Sequence, residues 1–335
     1  MAERATLKFS DPVGYAAAFG DARVNLTITG AGDFTARLTR LKLQHLELYW
    51  CRESLSRIAY ISLPSERMML SFPLGSASLI SGGFALRNGD MVFHSRGERL
   101  HQRSSGVCQW GLISVSTEQL ANCGKALTGR PIAAPKASKV FRPAPAEALR
   151  FQRLFRQACR LAEIGRKLIE HPEVARALEQ ELLHAVINCL AADDEADDAA
   201  KTRHRRAALV VRFEEALTRH IDQKLSMPTL CAELDVAERT LRMCCAEFLG
   251  VGPIRYALLQ RLNRARAALR CADPSTASVA EVARNNHFLE FGRFAVTYRN
   301  VFGESPSTTL QRYPPDYLPK LHSRAGAHRP NSRPR

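Results

Sequence analysis

Arg239, Thr240, Arg242 and Met243 stand on one side of a stretch whose other side is Leu241, Cys244, Cys245 and Phe248. The second set follows the i, i+3, i+4, i+7 stripe of a helix that buries one face. The first set has the chemistry of a base-edge reader: arginine pairs with guanine through two hydrogen bonds, threonine donates or accepts, and methionine touches a thymine methyl. Further along, Gly292, Arg293 and Val296 stand opposite Phe294, Tyr298 and Phe302, with Phe291 as a further member of the inner stripe. Valine suits a thymine methyl, and Gly292 contributes close approach only. Arg299 is a phosphate candidate on the same stretch. Arg261, Arg264 and Arg266 are phosphate candidates between the two readers. Together with Arg255 and Arg270 they make five arginines with no acid among them before Asp273. For the three candidates phosphate contact and internal ion pairing both stand open, with one of them expected to pair internally.

These residues need scaffolds, and the sequence supplies two of the same kind. In the first, Pro228 opens a helix carrying Leu230 and Leu234, Asp235-Val236-Ala237 turns, and a second helix runs from Glu238 to Leu249 with Gly250 as its stop. A linking helix follows from Pro253 to Ala272. In the second, Val279, Val282 and Ala283 make a short stripe, Asn285-Asn286-His287 turns, Phe288 plugs the core, and a helix runs from Leu289 to Val301 before Gly303. Two helix-turn-helix units joined by a helix of roughly 18 residues, about 27 Å long, suit two successive major grooves, which recur at about 34 Å on one side of a duplex.

The rest of the chain sets the context. Its 335 residues favour two domains. Of the net charge of +15, +11 lies in residues 201–335, where 23 Lys and Arg face 12 Asp and Glu; an excess placed so points to a polyanion. Residues 22–118 alternate as short strands broken by glycine, proline and Asn88-Gly89, the last read as a hairpin turn between Phe84–Leu86 and Met91–Phe93. The fold class is therefore α+β. An N-terminal β-rich barrel or sandwich, cupin-like, spans residues 1–145 as an effector or sensor domain. A helical linker or dimerisation segment follows at 146–192, then an acidic linker at 193–200. The all-α domain with its two units occupies 201–313, and a disordered tail 314–335. Nine cysteines without C-x-x-C spacing read as reduced thiols, and Cys244-Cys245 as core rather than as a redox sensor. His94, Glu98 and His101 lack metal-ligand spacing and are assigned to a surface loop; Trp50 and Trp110 are assigned to core packing. No catalytic residues, metal or cofactor are expected, and the chain is not read as an enzyme. The alternatives are a β-barrel enzyme fused to a DNA-binding module and a non-specific architectural DNA binder. The expected partners are double-stranded DNA, a small-molecule effector, a second copy of the chain and RNA polymerase, with no membrane; the expected place is the cytoplasm.

Leu230–Gly250 (LCAELDVAERTLRMCCAEFLG), Arg261–Leu269 (RLNRARAAL) and Val279–Leu310, which contains FGRFAVTYRNVFGESPSTTL, resemble the AraC/XylS family of bacterial transcription regulators over residues 205–313. That resemblance implies tandem helix-turn-helix reading of DNA and an effector or partner domain on the N-terminal side. Residues 32–55, GDFTARLTRLKLQHLELYWCRESL, resemble the subgroup of ethanolamine-operon regulators. Three positions depart from the family pattern. Ala237 replaces a capping Ser, and Asp235 and His287 replace the glycines of the two turns, so the first reading helix should be loosely held at its start.

Overall fold

Central strands with both faces covered carry the N-terminal half. The computed structural model describes residues 3–164, 169–191, 199–221 and 226–312. Twelve strands form two antiparallel sheets: β1 (Glu3–Phe9), β2 (Arg23–Ile28), β3 (Ala36–Lys42), β4 (Leu46–Glu53), β5 (Arg57–Ser62), β6 (Arg67–Pro73), β7 (Leu79–Ser81), β8 (Phe84–Leu86), β9 (Met91–Phe93), β10 (Arg99–Ser104), β11 (Cys108–Ser116) and β12 (Lys139–Phe141). The larger sheet has the order β1-β3-β4-β11-β6-β9-β12 and the smaller β2-β5-β10-β7-β8. Alternate residues of β4, β6 and β11 divide between two cores, as strand periodicity requires. Leu48, Trp50, Leu70, Phe72 and Ile113 face one core; Tyr49, Cys51, Met69, Trp110 and Leu112 face the other, between the sheets.

Helices cover the first of these faces. α2 (Thr117–Thr128), α3 (Pro145–Ile164) and α4 (Pro172–Ala191) follow the strands, while the short α1 (Pro12–Ala17) lies beside β2. Phe151 and Phe155 of α3 meet Phe72 edge-on at 4.8 and 4.9 Å, and Leu182, Val186 and Cys189 of α4 complete that core. The stripes of α3 and α4, within the segment expected to link or dimerise, are therefore spent largely on the domain's own sheet, although Leu149 and Val174 are exposed. The Asn88-Gly89 turn is also corrected. β8 pairs with β7 across Gly82-Gly83, both at positive φ, while β9 pairs with β6 and β12, so the chain crosses from one sheet to the other at Gly89.

α5 (Ala199–Arg219) begins the helical unit. It is followed by α6 (Met227–Leu234), α7 (Glu238–Leu249), α8 (Pro253–Cys271), α9 (Val279–Asn285), α10 (Phe291–Phe302) and α11 (Pro306–Arg312). Val210 and Phe213 of α5 pack with Leu230, Leu234, Leu241, Cys244, Cys245 and Phe248 into one core, and Tyr256 of α8 closes it. The second half of α8, through Leu262, Ala265 and Leu269, packs with Val282, Phe288, Phe294, Tyr298 and Phe302 into another. The acidic segment at 193–200 lies largely, and the tail at 314–335 wholly, outside the described residues. No described helix is long and apolar enough to cross a membrane.

Candidate DNA-reading surface

α7 is the second helix of the first unit and α10 that of the second. Each buries its aromatic or sulfur-bearing stripe and ends at a glycine in the left-handed conformation, Gly250 (φ 74°) and Gly303 (φ 77°). Both turns are held by non-glycine residues at positive φ, Asp235 (φ 53°) and His287 (φ 62°), a conformation L-residues adopt at a cost of about 1–2 kcal/mol. Ala237 is the N-cap of α7, at φ −66° and ψ 143°, and its side chain offers no oxygen to the free N–H groups. By contrast, Ser226 and Ser278 cap the first helices of the two units through hydrogen bonds to Thr229 and Glu281.

Every base-reading candidate reaches solvent. Arg239, Arg242, Met243, Gly292, Arg293 and Val296 are exposed and Thr240 is half-buried, while Val296, an apolar side chain, is 62 % exposed. The two arginines are held alike: Arg242 donates from Nε to Glu238 at 2.7 Å, and Arg293 from Nη1 to Glu290 at 3.2 Å. Arg299 is exposed near the end of α10.

For the linking arginines, where phosphate contact and internal pairing both stood open and one was expected to pair internally, the structure gives Arg266 an internal partner. Arg266 is only 4 % exposed; it donates to Glu304 at 2.7 Å and to the Gly32 carbonyl at 3.2 Å, and its guanidinium lies over Phe302. It cannot reach a phosphate. Arg261 is half-buried over Phe288 and donates to the His287 carbonyl at 3.4 Å; burial pushes its pKa down. It braces the second turn instead of facing solvent. Arg264 lines a cleft against α1 and β2, and Arg270 donates to the Ser10 carbonyl at 2.9 Å. The missing acids are supplied from far along the chain, by Asp11 to Arg270 and by Glu304 to Arg266. The helix that looks built for phosphate is packed on the N-terminal domain.

Several buried polar groups had no sequence signal. Glu53 accepts from the Tyr15 hydroxyl at 2.9 Å, from Arg57 Nε at 2.9 Å and from Trp110 Nε1 at 3.0 Å; Arg57 also donates to Gln102. This network fills the space between the sheets, and burial holds the Tyr15 hydroxyl well above its ordinary pKa. His94 and His101 are not on a surface loop. His94 Nε2 lies 2.7 Å from Ser71 Oγ and Nδ1 lies 3.3 Å from Glu98, while His101 faces Glu214 of α5 at 3.1 Å. The Ser71-His94-Glu98 series has the order of a nucleophile, base and orienting acid, yet Ser71 is 2 % exposed. Among the described residues no group of three or more His, Cys, Asp or Glu is placed to hold a metal. Burial raises the Cys244 thiol and pushes that of Cys245 up to about 12, which disfavours the thiolate at both positions.

A cleft of about 650 Å³ opens between the halves, walled by Val13, Ala16 and Leu26 on one side and by Leu217, Asn263 and Arg264 on the other.

Comparison with known proteins settles the family. The AraC-binding-like domain matches residues 16–188, more than half of the chain, and the helix-turn-helix domain matches residues 230–312. The chain belongs to the AraC/XylS family. Among curated relatives, the probable thc operon regulatory protein of Rhodococcus erythropolis is 33 % identical over 147 residues, 43 % of each chain. A XylDLEGF operon transcriptional activator of Pseudomonas putida is 36 % identical over 104 residues, 31 % of each chain. The matches span less than half the length of these relatives. Among solved structures, a probable AraC family transcriptional regulator from Rhodopseudomonas palustris CGA009 is 30 % identical, with a TM-score of 0.30 over 32 % of this chain and 99 % of that one. The AraC-like transcriptional activator CuxR is 16 % identical, with a TM-score of 0.43 over 79 % of this chain and 96 % of that one.

Proposed function

We propose that this member of the AraC/XylS family is a sequence-specific DNA-binding transcription regulator whose N-terminal domain responds to a small molecule. One observation carries the reading: two helices of the same kind, flanking a single linking helix, bury their apolar stripes and turn Arg239, Thr240, Arg242, Met243, Gly292, Arg293 and Val296 outward. Arg242 and Arg293 read base edges. Arg299 and the backbone N–H groups at the uncapped start of α7 meet phosphates, and Glu238 and Glu290 hold the two arginines extended until bases replace them. Arg261 and Arg266 are left out of the phosphate set because their partners lie within the protein, and Arg264 because it lines the cleft. The effector enters the cleft between α1 and β2 and α5 and α8, since the space between the sheets is filled by Glu53, Arg57 and their aromatic neighbours. Activation would make RNA polymerase a second partner. Pairing with another copy of the chain draws little support from α3 and α4, whose stripes are largely buried against the domain's own sheet, with Leu149 and Val174 exposed.

The test is competition binding. DNA selected for the full-length protein is challenged with single-base variants. Arg242→Ala should weaken specific binding by about 1–3 kcal/mol, roughly 5- to 150-fold, and relax discrimination at one base pair. Arg293→Ala should do the same at a second site. Unchanged discrimination in both variants overturns the reading.

A further inference from the structure

The smaller sheet touches both units, each at the same place. Its strand order puts β2 at one edge and the β7–β8 hairpin at the other. Beyond the β2 edge, the Gly32 N–H donates to the Phe302 carbonyl at 3.0 Å, at the end of α10. Asp33 takes two hydrogen bonds from Arg312 at 2.9 Å, and Asn263 both donates to and accepts from the backbone of Ile28 at 2.9 Å. At the other edge, Gly83 lies under the ring of Phe248, at the end of α7, so closely that an added Cβ would stand 2.8 Å from ring carbons. Arg103 of β10 covers Gly250, the C-cap of that helix. Between the edges, Ile58 joins the core of the first unit and His101 meets Glu214.

Each reading helix thus meets the smaller sheet at its C-terminal end, α7 through β10 and the β7–β8 turn and α10 through the loop that follows β2, while its N-terminal turns remain outside. The two units have separate cores and share α8 and the half-buried Val251. α8 is a semi-rigid spacer, but it joins the two units through one element only. A sheet of five strands spaced about 4.8 Å apart spans roughly 19 Å between its outer strands and ties the units together a second time. We propose that this sheet is a spacer: Gly83 and Phe248 at one edge, and Gly32, Asp33, Asn263 and Arg312 at the other, are positioning residues that set the separation of α7 and α10. They thereby determine which half-site spacing the protein accepts. The inference rests on the DNA-reading proposal and adds to it a specificity that no base contact supplies. It also gives the effector a lever, because the proposed cleft is walled by β2 and α8, between the edge and the second unit.

The experiment uses the full chain and DNA selected by it, with the two half-sites at the selected spacing, with one to three base pairs inserted or removed, and with one half-site replaced. Asp33→Ala combined with Asn263→Ala loosens one edge; Gly83→Ala presses on Phe248 at the other. Each should keep single half-site affinity within about twofold of wild type. Each should also cut the penalty for a one-base-pair insertion at least threefold. Asp33 is exposed, so its single variant, which leaves the fold intact, should show a smaller shift in the same direction. A spacing profile identical to wild type in all three variants overturns the spacer. If the unaltered protein itself ignores the second half-site, the DNA-reading proposal falls first, and that result appears before any variant is made.

Discussion

Replacing Ala237 with serine should stabilise the first reading helix. Ala237 already holds the extended N-cap conformation, at φ −66° and ψ 143°, with no side-chain hydrogen bond to the helix. A serine Oγ there accepts from the N–H of Arg239 or Thr240 without backbone adjustment, and such a cap contributes about 1 kcal/mol over alanine. No competing cost arises, because position 237 is exposed. If the helical unit melts by itself, about 1 kcal/mol raises its midpoint by roughly 4 °C; if the whole chain melts as one, the larger unfolding entropy reduces this to about 2 °C. Urea unfolding followed by circular dichroism gives the free energy, and calorimetry the midpoint. The N–H group that the serine takes is one of those proposed to meet phosphate, so the cap should weaken operator binding modestly, up to about threefold, while it stabilises the fold. A change below about 0.2 kcal/mol, or a loss of stability, would show that the start of α7 is satisfied by other means and would refute the reasoning.

Two other outcomes follow from the buried groups. Glu53→Ala leaves Arg57 charged in the interior, with Tyr15 and Trp110 losing their acceptor, and should cost about 3–5 kcal/mol in urea unfolding; Glu53→Leu with Arg57→Met should recover most of it, and a single-variant cost under 1 kcal/mol would contradict the network. In native protein, Cys271, the exposed thiol, should react first with a thiol reagent at pH 8; Cys108, pushed up to about 11 by burial, and Cys245, up to about 12, should wait for unfolding, and immediate labelling of either would contradict their placement.

The exposure of the base-reading candidates was legible because it depends on local patterns. Helical periodicity sorts Leu241, Cys244, Cys245 and Phe248 inward and Arg239 and Arg242 outward. The left-handed turns at Asp235 and His287 and the capless Ala237 stand where the family comparison places them. What the sequence hid was long-range. The arginine run of α8 reads as phosphate-facing because its acids, Asp11 and Glu304, come from other parts of the chain. The helices at 146–192 read as a linker because a stripe shows that a face is buried, not what buries it. Asn88-Gly89 marks a reversal correctly but leaves open which strands it joins; the competing Gly82-Gly83 turn claims β8 for the other sheet. His94 and His101 gave no sign of burial, since their partners Ser71 and Glu214 are remote.

Hydroxyl-radical footprinting with guanine methylation interference tests the central claim most directly. The full-length protein on its selected DNA should protect two patches on the same side of the duplex, their centres about ten base pairs apart. Interfering guanines should fall in both, and Arg242→Ala and Arg293→Ala should each erase interference in a different one. A single patch, or interference untouched by both substitutions, would contradict the account.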